Sequence, residues 1–436
     1  MADTVHLAIL NREEEMINRC FRCGLCRTVC PSFGAAGIES TSPRGRVQLA
    51  RAVLADGMEL DDAIRERMLD CLNCMRCAEV CPADVRTDKI VLAARAELAK
   101  KGKLDLIKKI VFSTVIKSPV FMSFFAWIAS RGQKWFYKSN TLLKVLVPKL
   151  AGMGDKKFPA FARKQTIGRW PEVISPETGG KTMRAGYFVG CTTNFLFTDV
   201  ADAAISVLTR NNVELVIPKG QVCCGIPVYT SGDYNNAKKL AEANFKTFHD
   251  LDIECIVTDC ALCSAALKHE LDELMGVGHF EVPVYDLTEF LVNVIEINRD
   301  FGKVPMSVTY HDPCHLLRGQ NISREPRELL KMVPGVELTE MQDADNCCGG
   351  AGTFSFTHHE LSRNIGKQKV ENIRNTGAEY VSTPCPSCKM QIDDLINHAG
   401  MNVLTIHPVQ VLDMAYRAGA QKKAGNHLCC SLSSKT

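Results

Sequence analysis

Four short apolar runs between residues 187 and 383 each lead to a cysteine. Tyr187-Phe188-Val189-Gly190 precedes Cys191, and Val308-Thr309-Tyr310-His311 stands before Cys314. Ile256-Val257-Thr258 leads to Cys260, and Tyr380-Val381-Ser382-Thr383 leads to Cys385. Runs of this length, rich in β-branched and aromatic residues, read as strands. Between them, Asp233 to His249 and His358 to Asn375 read as helices. Alternating strands and helices predict an α/β unit with a mainly parallel sheet, its functional loops at the strand C-terminal ends.

The unit occurs twice. Cys191 and Cys314 are 123 positions apart, Cys223 and Cys347 are 124 apart, and Cys260 and Cys385 are 125 apart. Near-equal offsets with matching flanks predict a duplicated, Rossmann-like α/β pair, over 181–302 and 303–418. The front of the chain reads as mostly α-helical over 1–105. There Asp61 is placed to cap a helix carrying Ile64, Met68 and Leu69 inward. Thr87 opens another through Ile90, Ala94 and Leu98, ending at Gly102. Residues 106–180 form a linker with no cysteine, and 419–436 read as a disordered polar tail.

A chain of 436 residues is long enough for two to four domains, and 46% apolar with 23% charged residues suits globular cores. The 21 cysteines are the outlier. Met1 to Met16 carries Asp3, Arg12, Glu13, Glu14 and Glu15 with no apolar stretch between, so no secretory start is expected. No uncharged run reaches the roughly 18 residues of a membrane span. The expectation is a cytoplasmic protein whose clustered thiols serve metal or redox chemistry.

Eight cysteines form two runs. Cys20-x2-Cys23-x2-Cys26-x3-Cys30-Pro31 and Cys71-x2-Cys74-x2-Cys77-x3-Cys81-Pro82 share the spacing of bacterial two-cluster ferredoxins. In that arrangement three thiolates wrap one [4Fe–4S] cube, and the cysteine before proline reaches the other cube. Cys20, Cys23, Cys26 and Cys81 are therefore expected around one cluster, and Cys71, Cys74, Cys77 and Cys30 around the second. Paired zinc sites are the alternative, disfavoured by four cysteines at this spacing closed twice by Cys-Pro.

Each C-terminal unit has five cysteines: Cys191, Cys223, Cys224, Cys260 and Cys263, then Cys314, Cys347, Cys348, Cys385 and Cys388. Soft thiolates from three loops suit iron–sulfur or zinc chemistry, and spacing alone leaves both open. The repeated Cys-Cys-Gly pattern behind a two-cluster domain resembles the glycolate oxidase iron–sulfur subunit and the heterodisulfide reductase catalytic subunit. Ser42-Pro43-Arg44-Gly45-Arg46, His311-Asp312-Pro313-Cys314-His315 and His407-Pro408-Val409 are similar to the former. The resemblance covers about 20–416. It implies that each five-cysteine set holds a noncubane [4Fe–4S] cluster. Members of the glycolate oxidase branch often lose one cysteine of the last pair, whereas Cys260/Cys263 and Cys385/Cys388 are complete here, which draws the reading toward the heterodisulfide reductase branch.

These sets take 18 of the cysteines. Cys255 falls in an expected strand and reads as a core thiol, and Cys429 and Cys430 fall in the tail as incidental thiols. His311 and His315 flank Cys314 and read equally as proton or hydrogen-bond donors to the site and as parts of a structural turn. Gly349-Gly350-Ala351-Gly352 follows a cysteine pair and lacks the setting of a dinucleotide loop. No flavin, nicotinamide or Walker motif is evident, so hydride chemistry is expected of a partner.

Charge is uneven. Residues 100–169 hold 16 Lys or Arg against Asp105 and Asp155, while the remaining chain is net negative at −11. Over 106–164, Phe112, Phe121, Phe124, Phe125, Trp127, Trp135, Phe136 and Tyr137 are interleaved with Lys108, Lys109, Lys117, Arg131, Lys134 and Lys138. This pattern predicts contact with an anionic membrane surface or an acidic partner, with internal packing of the aromatics as the plain alternative and no nucleic-acid module.

The expected function is an electron-transfer subunit of a cytoplasmic oxidoreductase complex, peripheral on the inner membrane face. Electrons would pass between a flavoprotein partner acting on a 2-hydroxy acid and other electron-transfer subunits. A heterodisulfide reductase-like catalytic subunit, including those of acyl-CoA or lactate-oxidising complexes, is the alternative. A zinc-binding interaction module fused to a ferredoxin is the rival of another class.

Overall fold

The computed structural model describes residues 7–55, 57–102, 118–138, 156, 159–177, 183–270, 272 and 276–432. Of the basic aromatic segment, Asp105, Lys108, Lys109, Phe112, Lys117 and Asp155 lie outside these residues, as do 433–436 of the tail.

The front region is helical among its described residues. Asp61 caps Asp62–Leu69 by accepting from the Ile64 amide at 2.8 Å. Thr87 is the first residue of Thr87–Lys100 and does not cap it with its side chain. Ile64, Met68, Ile90, Ala94 and Leu98 meet Leu10, Ile17 and Val47 in one core, whereas Leu69 is only half-buried.

Among the described residues, nine strands form two sheets. β1 (Val173–Ile174), β2 (Met183–Phe188), β3 (Val213–Val216), β4 (Cys255–Thr258) and β5 (Val284–Asp286) lie in the order β1-β3-β2-β4-β5. β6 (Met306–Tyr310), β7 (Val336–Leu338), β8 (Tyr380–Ser382) and β9 (Leu404–Ile406) follow the order β7-β6-β8-β9. Every pairing is parallel except the short β1 on β3. Apart from β1, the second sheet repeats the order of the first, so duplication in sequence is duplication in topology.

Alternation along the strands divides the core. Ala185, Tyr187 and Val257 face a large core shared with Val308, Tyr310 and Leu412 of the second unit. Phe188 and Ile256 face the other way, onto Leu240, Ala241 and Phe248 of helix Tyr234–His249. Helices Thr198–Arg210 and Pro408–Leu432 tie the units together through Ser206 to Asp413 at 2.7 Å and Asn211 to Tyr416 at 2.9 Å. The helix runs past Gly419, where the sequence pattern predicts a disordered tail; Ala, Gln and Lys are good helix formers and carry it on.

The front region is locked onto both units. The Arg95 guanidinium is buried and donates to the carbonyls of Met68, Leu69 and Cys71, and to Thr230 of the first unit at 2.7 Å. Arg318 of the second unit reaches Glu79 at 2.7 Å and Asp345 at 2.5 Å. Arg95→Met strands several buried carbonyls, and we expect a loss of about 3 kcal/mol or more, read as a lowered unfolding midpoint of the anaerobically purified protein.

Candidate metal centres

The two front motifs bend the backbone in the same way. Arg22 and Gly24 in the first, and Asn73 and Met75 in the second, all have positive φ. For three side-chain-bearing residues this conformation costs about 1–3 kcal/mol each and is characteristic of functional sites. It turns amide groups toward sulfur: Asn73 N–H donates to Cys71 Sγ at 3.4 Å, and beyond the motif Val85 N–H donates to Cys81 Sγ at 3.3 Å.

The thiols gather across motifs. Cys26 feels the charges of Cys20, Cys23 and Cys81, and all four line one small cavity. Cys77 feels Cys74, Cys71 and Cys30, and these four line a neighbouring cavity. Cys30, in helix-capping position before Pro31, has thus left its own motif, and so has Cys81. Burial pushes the Cys74 and Cys77 thiols well up, with like charges on adjacent cysteines adding to it. Crowded, buried thiols of this kind become stable thiolates when a metal takes their charge.

In the C-terminal units the cysteines leave the strand ends. Cys191 follows β2, Cys223 and Cys224 follow β3, and Cys260 and Cys263 follow β4. Cys314, Cys347 with Cys348, and Cys385 with Cys388 follow β6, β7 and β8 in the same way. The glycine after each Cys-Cys pair is required by space. Gly225 and Gly349 have φ of +91° and +83°, and a Cβ at Gly349 would lie 2.5 Å from the Ser362 carbonyl oxygen.

Side-chain contacts run Cys191–Cys223–Cys224–Cys263–Cys260 in the first unit. They run Cys314–Cys347–Cys348–Cys388–Cys385 in the second, the same order of homologous positions. Cys260 also touches Cys385, so the ten thiols form one string. Its second-unit end meets the front region, where Cys74 feels the charge of Cys314. In each unit the second cysteine of the pair is the acidic one. Cys224 is pulled down to about 5 by thiol donors from Cys223 and Cys263, and Cys348 is pulled well down by Cys347 and Cys388, with His311 assisting.

His311 donates from Nδ1 to the Ala344 carbonyl at 3.1 Å, which leaves Nε2 as the other ring position. That buried atom has no hydrogen-bond partner and lies within 4.8 Å of the Cys348 and Cys388 sulfurs. An imidazole oriented through one nitrogen with the other aimed into thiols fits a metal-bearing site. His315 points instead to Glu270 at 3.1 Å; burial works to lower its pKa, but Glu270 outweighs burial and lifts it to about 9. A small cavity of about 70 Å³ opens beside these groups, between Cys74, Cys314, Cys388, Ile226 and Phe354.

Cys255 stands apart from the string, buried in β4 with its thiol 3.7 Å from Met183 Sδ, and burial raises its pKa to about 12. Cys429 and Cys430 fall in the terminal helix, and their side chains are outside the described residues. Sequence reasoning missed Lys369, buried behind the second set with Nζ on the Asp343 and Ala344 carbonyls at 2.8 and 3.0 Å. The spacing Ile365, Lys369, Ile373 marks it as a lysine on the inner face of its helix.

No disulfide joins any described cysteine. Soft donors converging from several loops, with an orphan imidazole nitrogen aimed among them, fit iron–sulfur clusters. Comparison with known proteins agrees. Residues 185–268 and 308–393 match a cysteine-rich domain family named CCG, and residues 16–85 match a 4Fe-4S dicluster domain. The probable glycolate oxidase iron-sulfur subunit of Bacillus subtilis is 30% identical over 431 residues, 94% of this chain and 95% of that one. One of the subunits of the fumarate reductase (CoM/CoB) from Methanothermobacter marburgensis is 30% identical over 412 residues, 93% of this chain and 73% of the relative. Lactate utilization protein A of Geobacillus thermodenitrificans is 32% identical over 238 residues, 53% of this chain and 99% of that one. Front motifs, duplicated Cys-Cys-Gly loops and near full-length similarity together place the chain in the family of CCG-domain iron–sulfur proteins that includes the glycolate oxidase iron–sulfur subunit.

Proposed function

We propose that the chain is an electron-transfer subunit of an oxidoreductase complex in the cytoplasm. The observation that carries this is the unbroken series of thiol sets. Cys20, Cys23, Cys26 and Cys81 adjoin Cys71, Cys74, Cys77 and Cys30; these meet the second C-terminal set, which touches the first. The front sets would each hold a cubane [4Fe–4S] cluster, and the two five-cysteine sets would each hold a noncubane one. Such clusters supply one-electron transfer over a wide range of potentials. The chain's own residues bury the thiols, turn amides toward sulfur, and hold the imidazole of His311 against Cys348 and Cys388. The names of two relatives, a glycolate oxidase iron-sulfur subunit and a lactate utilization protein, support a partner subunit that oxidises a 2-hydroxy acid. Since this sequence carries no flavin or nicotinamide motif, that partner would supply the flavin. The cavity beside Cys314 and Cys388 supports a second reading, in which this chain itself reduces a disulfide or related substrate there.

Metal analysis of anaerobically purified protein tests both against the zinc alternative. We expect about sixteen irons per chain, from four four-iron clusters; about eight irons with two zincs would refute it.

The crossed front sets make a sharper demand. Cys30→Ser should disturb the signal of the Cys71, Cys74 and Cys77 set and spare that of Cys20, Cys23 and Cys26 in electron paramagnetic resonance. The opposite pattern would reverse the assignment.

Helix Pro119–Lys138 supplies the contact surface. Of its described side chains, Val120 is 75% exposed, and Phe121, Phe124, Phe125, Trp127 and Ile128 are all exposed, whereas the side chains of Lys134 to Lys138 lie outside the described residues. Met122, Ser123, Ala126 and Ser130 turn toward the body instead. This inverts the usual arrangement of a surface helix. No helix among the described residues is long and apolar enough to cross a membrane. Outward aromatics beside Arg131, in a strongly basic segment, suit a helix lying in the interface of an anionic bilayer. Phe124→Ser with Trp127→Ser should weaken sedimentation with anionic vesicles at least about tenfold, roughly 1.4 kcal/mol, while iron content stays constant. Unchanged vesicle binding with loss of a co-purifying protein would assign the face to a protein partner.

A further inference from the structure

Duplication makes the two C-terminal sets comparable position by position. Gly225 packs against the Ala237 carbonyl as Gly349 packs against that of Ser362, an offset of 125 that pairs Asn244 with Lys369. The offset of 123 at the first cysteine pairs Phe188 with His311, and the offset of 125 at the third loop pairs Asp259 with Pro384.

Asn244 and Lys369 do the same structural task. Asn244 Nδ2 donates to the Cys223 carbonyl at 3.0 Å, and its Oδ1 accepts from Val222 N–H at 2.9 Å. Lys369 Nζ braces the corresponding loop through the Asp343 and Ala344 carbonyls, and the residue is 1% exposed. One brace is a neutral amide and the other a lysine amine; burial lowers its pKa, while Cys348, Cys314, Asp345 and Cys347 act to keep it charged. Asp345, the nearest carboxylate acting on it, is already held by Arg318 at 2.5 Å and Arg76 at 3.7 Å. Around the first set no cation takes this place, and the buried acid there, Asp259, has its pKa lifted to about 7 by burial, so it carries only part of a negative charge at neutral pH. Asp259 is fully buried next to Cys260, held by the hydroxyls of Tyr187 at 2.5 Å and Thr193 at 3.2 Å. Phe188 occupies the place of His311 and offers no polar atom.

Charges in a dry interior act with little screening, and a nearby cation favours any centre that gains negative charge. We propose that the two five-cysteine sets are electrically unequal, with Lys369 making the second set the place where electrons delivered by the front region collect, and the first set a relay of lower affinity for them. The proposal rests on both sets holding iron–sulfur clusters, as argued above. It agrees with position, since the second set meets Cys74 and opens on the small cavity beside Cys314 and Cys388. Lys369 is a positioning residue here; its Nζ contacts two carbonyls and the Met341 thioether at 3.7 Å, and it acts on the cysteines through its charge.

The test is a redox titration of the fully loaded protein followed by electron paramagnetic resonance, with the signals of the two sets assigned through Cys224→Ser and Cys348→Ser. In the unaltered protein the second-set signal should develop at the higher potential. Lys369→Gln, which keeps an N–H donor, should lower that midpoint, Lys369→Arg should restore it, and Asn244→Lys should raise the first-set midpoint. Zinc in place of iron would refute the cluster reading itself. With iron intact, midpoints that move in neither Lys369→Gln nor Asn244→Lys would overturn this inference alone. Loss of iron from both variants would also overturn it, because the pair would then serve structure only.

Discussion

The contact between Cys260 and Cys385 is the constraint on which the rest of the molecule turns. It brings together loops from two sheets, and the backbone follows it: the Ala261 amide donates to the Pro384 carbonyl at 3.2 Å. For those loops to meet, the two units must face each other across one shared core, and helices Thr198–Arg210 and Pro408–Leu432 must close the other side. The front region then has one place to dock, where Arg95 and Arg318 hold it against both units.

Much of this was legible in the sequence, because it is local. The four strands ending in cysteines, the helices between them and the Asp61 cap depend on neighbours a few positions away. The gathering of Cys30 with Cys71, Cys74 and Cys77, and of Cys81 with the first motif, was expected from the spacing of two-cluster ferredoxins. The spatial order of the sets was not, since it depends on which strand ends meet across the core. Nor was the orientation of Pro119–Lys138. Its alternation of aromatic and basic residues is compatible with either face inward, and only contact with Gln165 and the first unit turns Ser123 in and Phe124 out. Lys369 escaped because a single lysine on an otherwise apolar helix face looks like an error in the pattern until its carbonyl partners are seen.

Duplication followed by divergence explains how one scaffold holds unlike surroundings. The parts that shape the thiol string are kept in both units, including the strand order and the glycine pressed against the next helix. Among the differences between the units are positions one step behind the string, where Asn244, Asp259 and Phe188 correspond to Lys369, Pro384 and His311. Changes there alter the electrical environment without moving a cysteine, so they are tolerated by the fold.

The string also runs against the direction of synthesis. Residues 1–102 are made first and the first unit next, yet the set that touches the front region belongs to the second unit, which is made last. A nascent chain that has not yet reached Cys314 therefore carries three thiol sets, with the third cut off from the first two along the string. The gap closes only when the final sheet folds. An unfinished polypeptide therefore holds an interrupted string of thiols, and the last sheet to be made is the one that joins it.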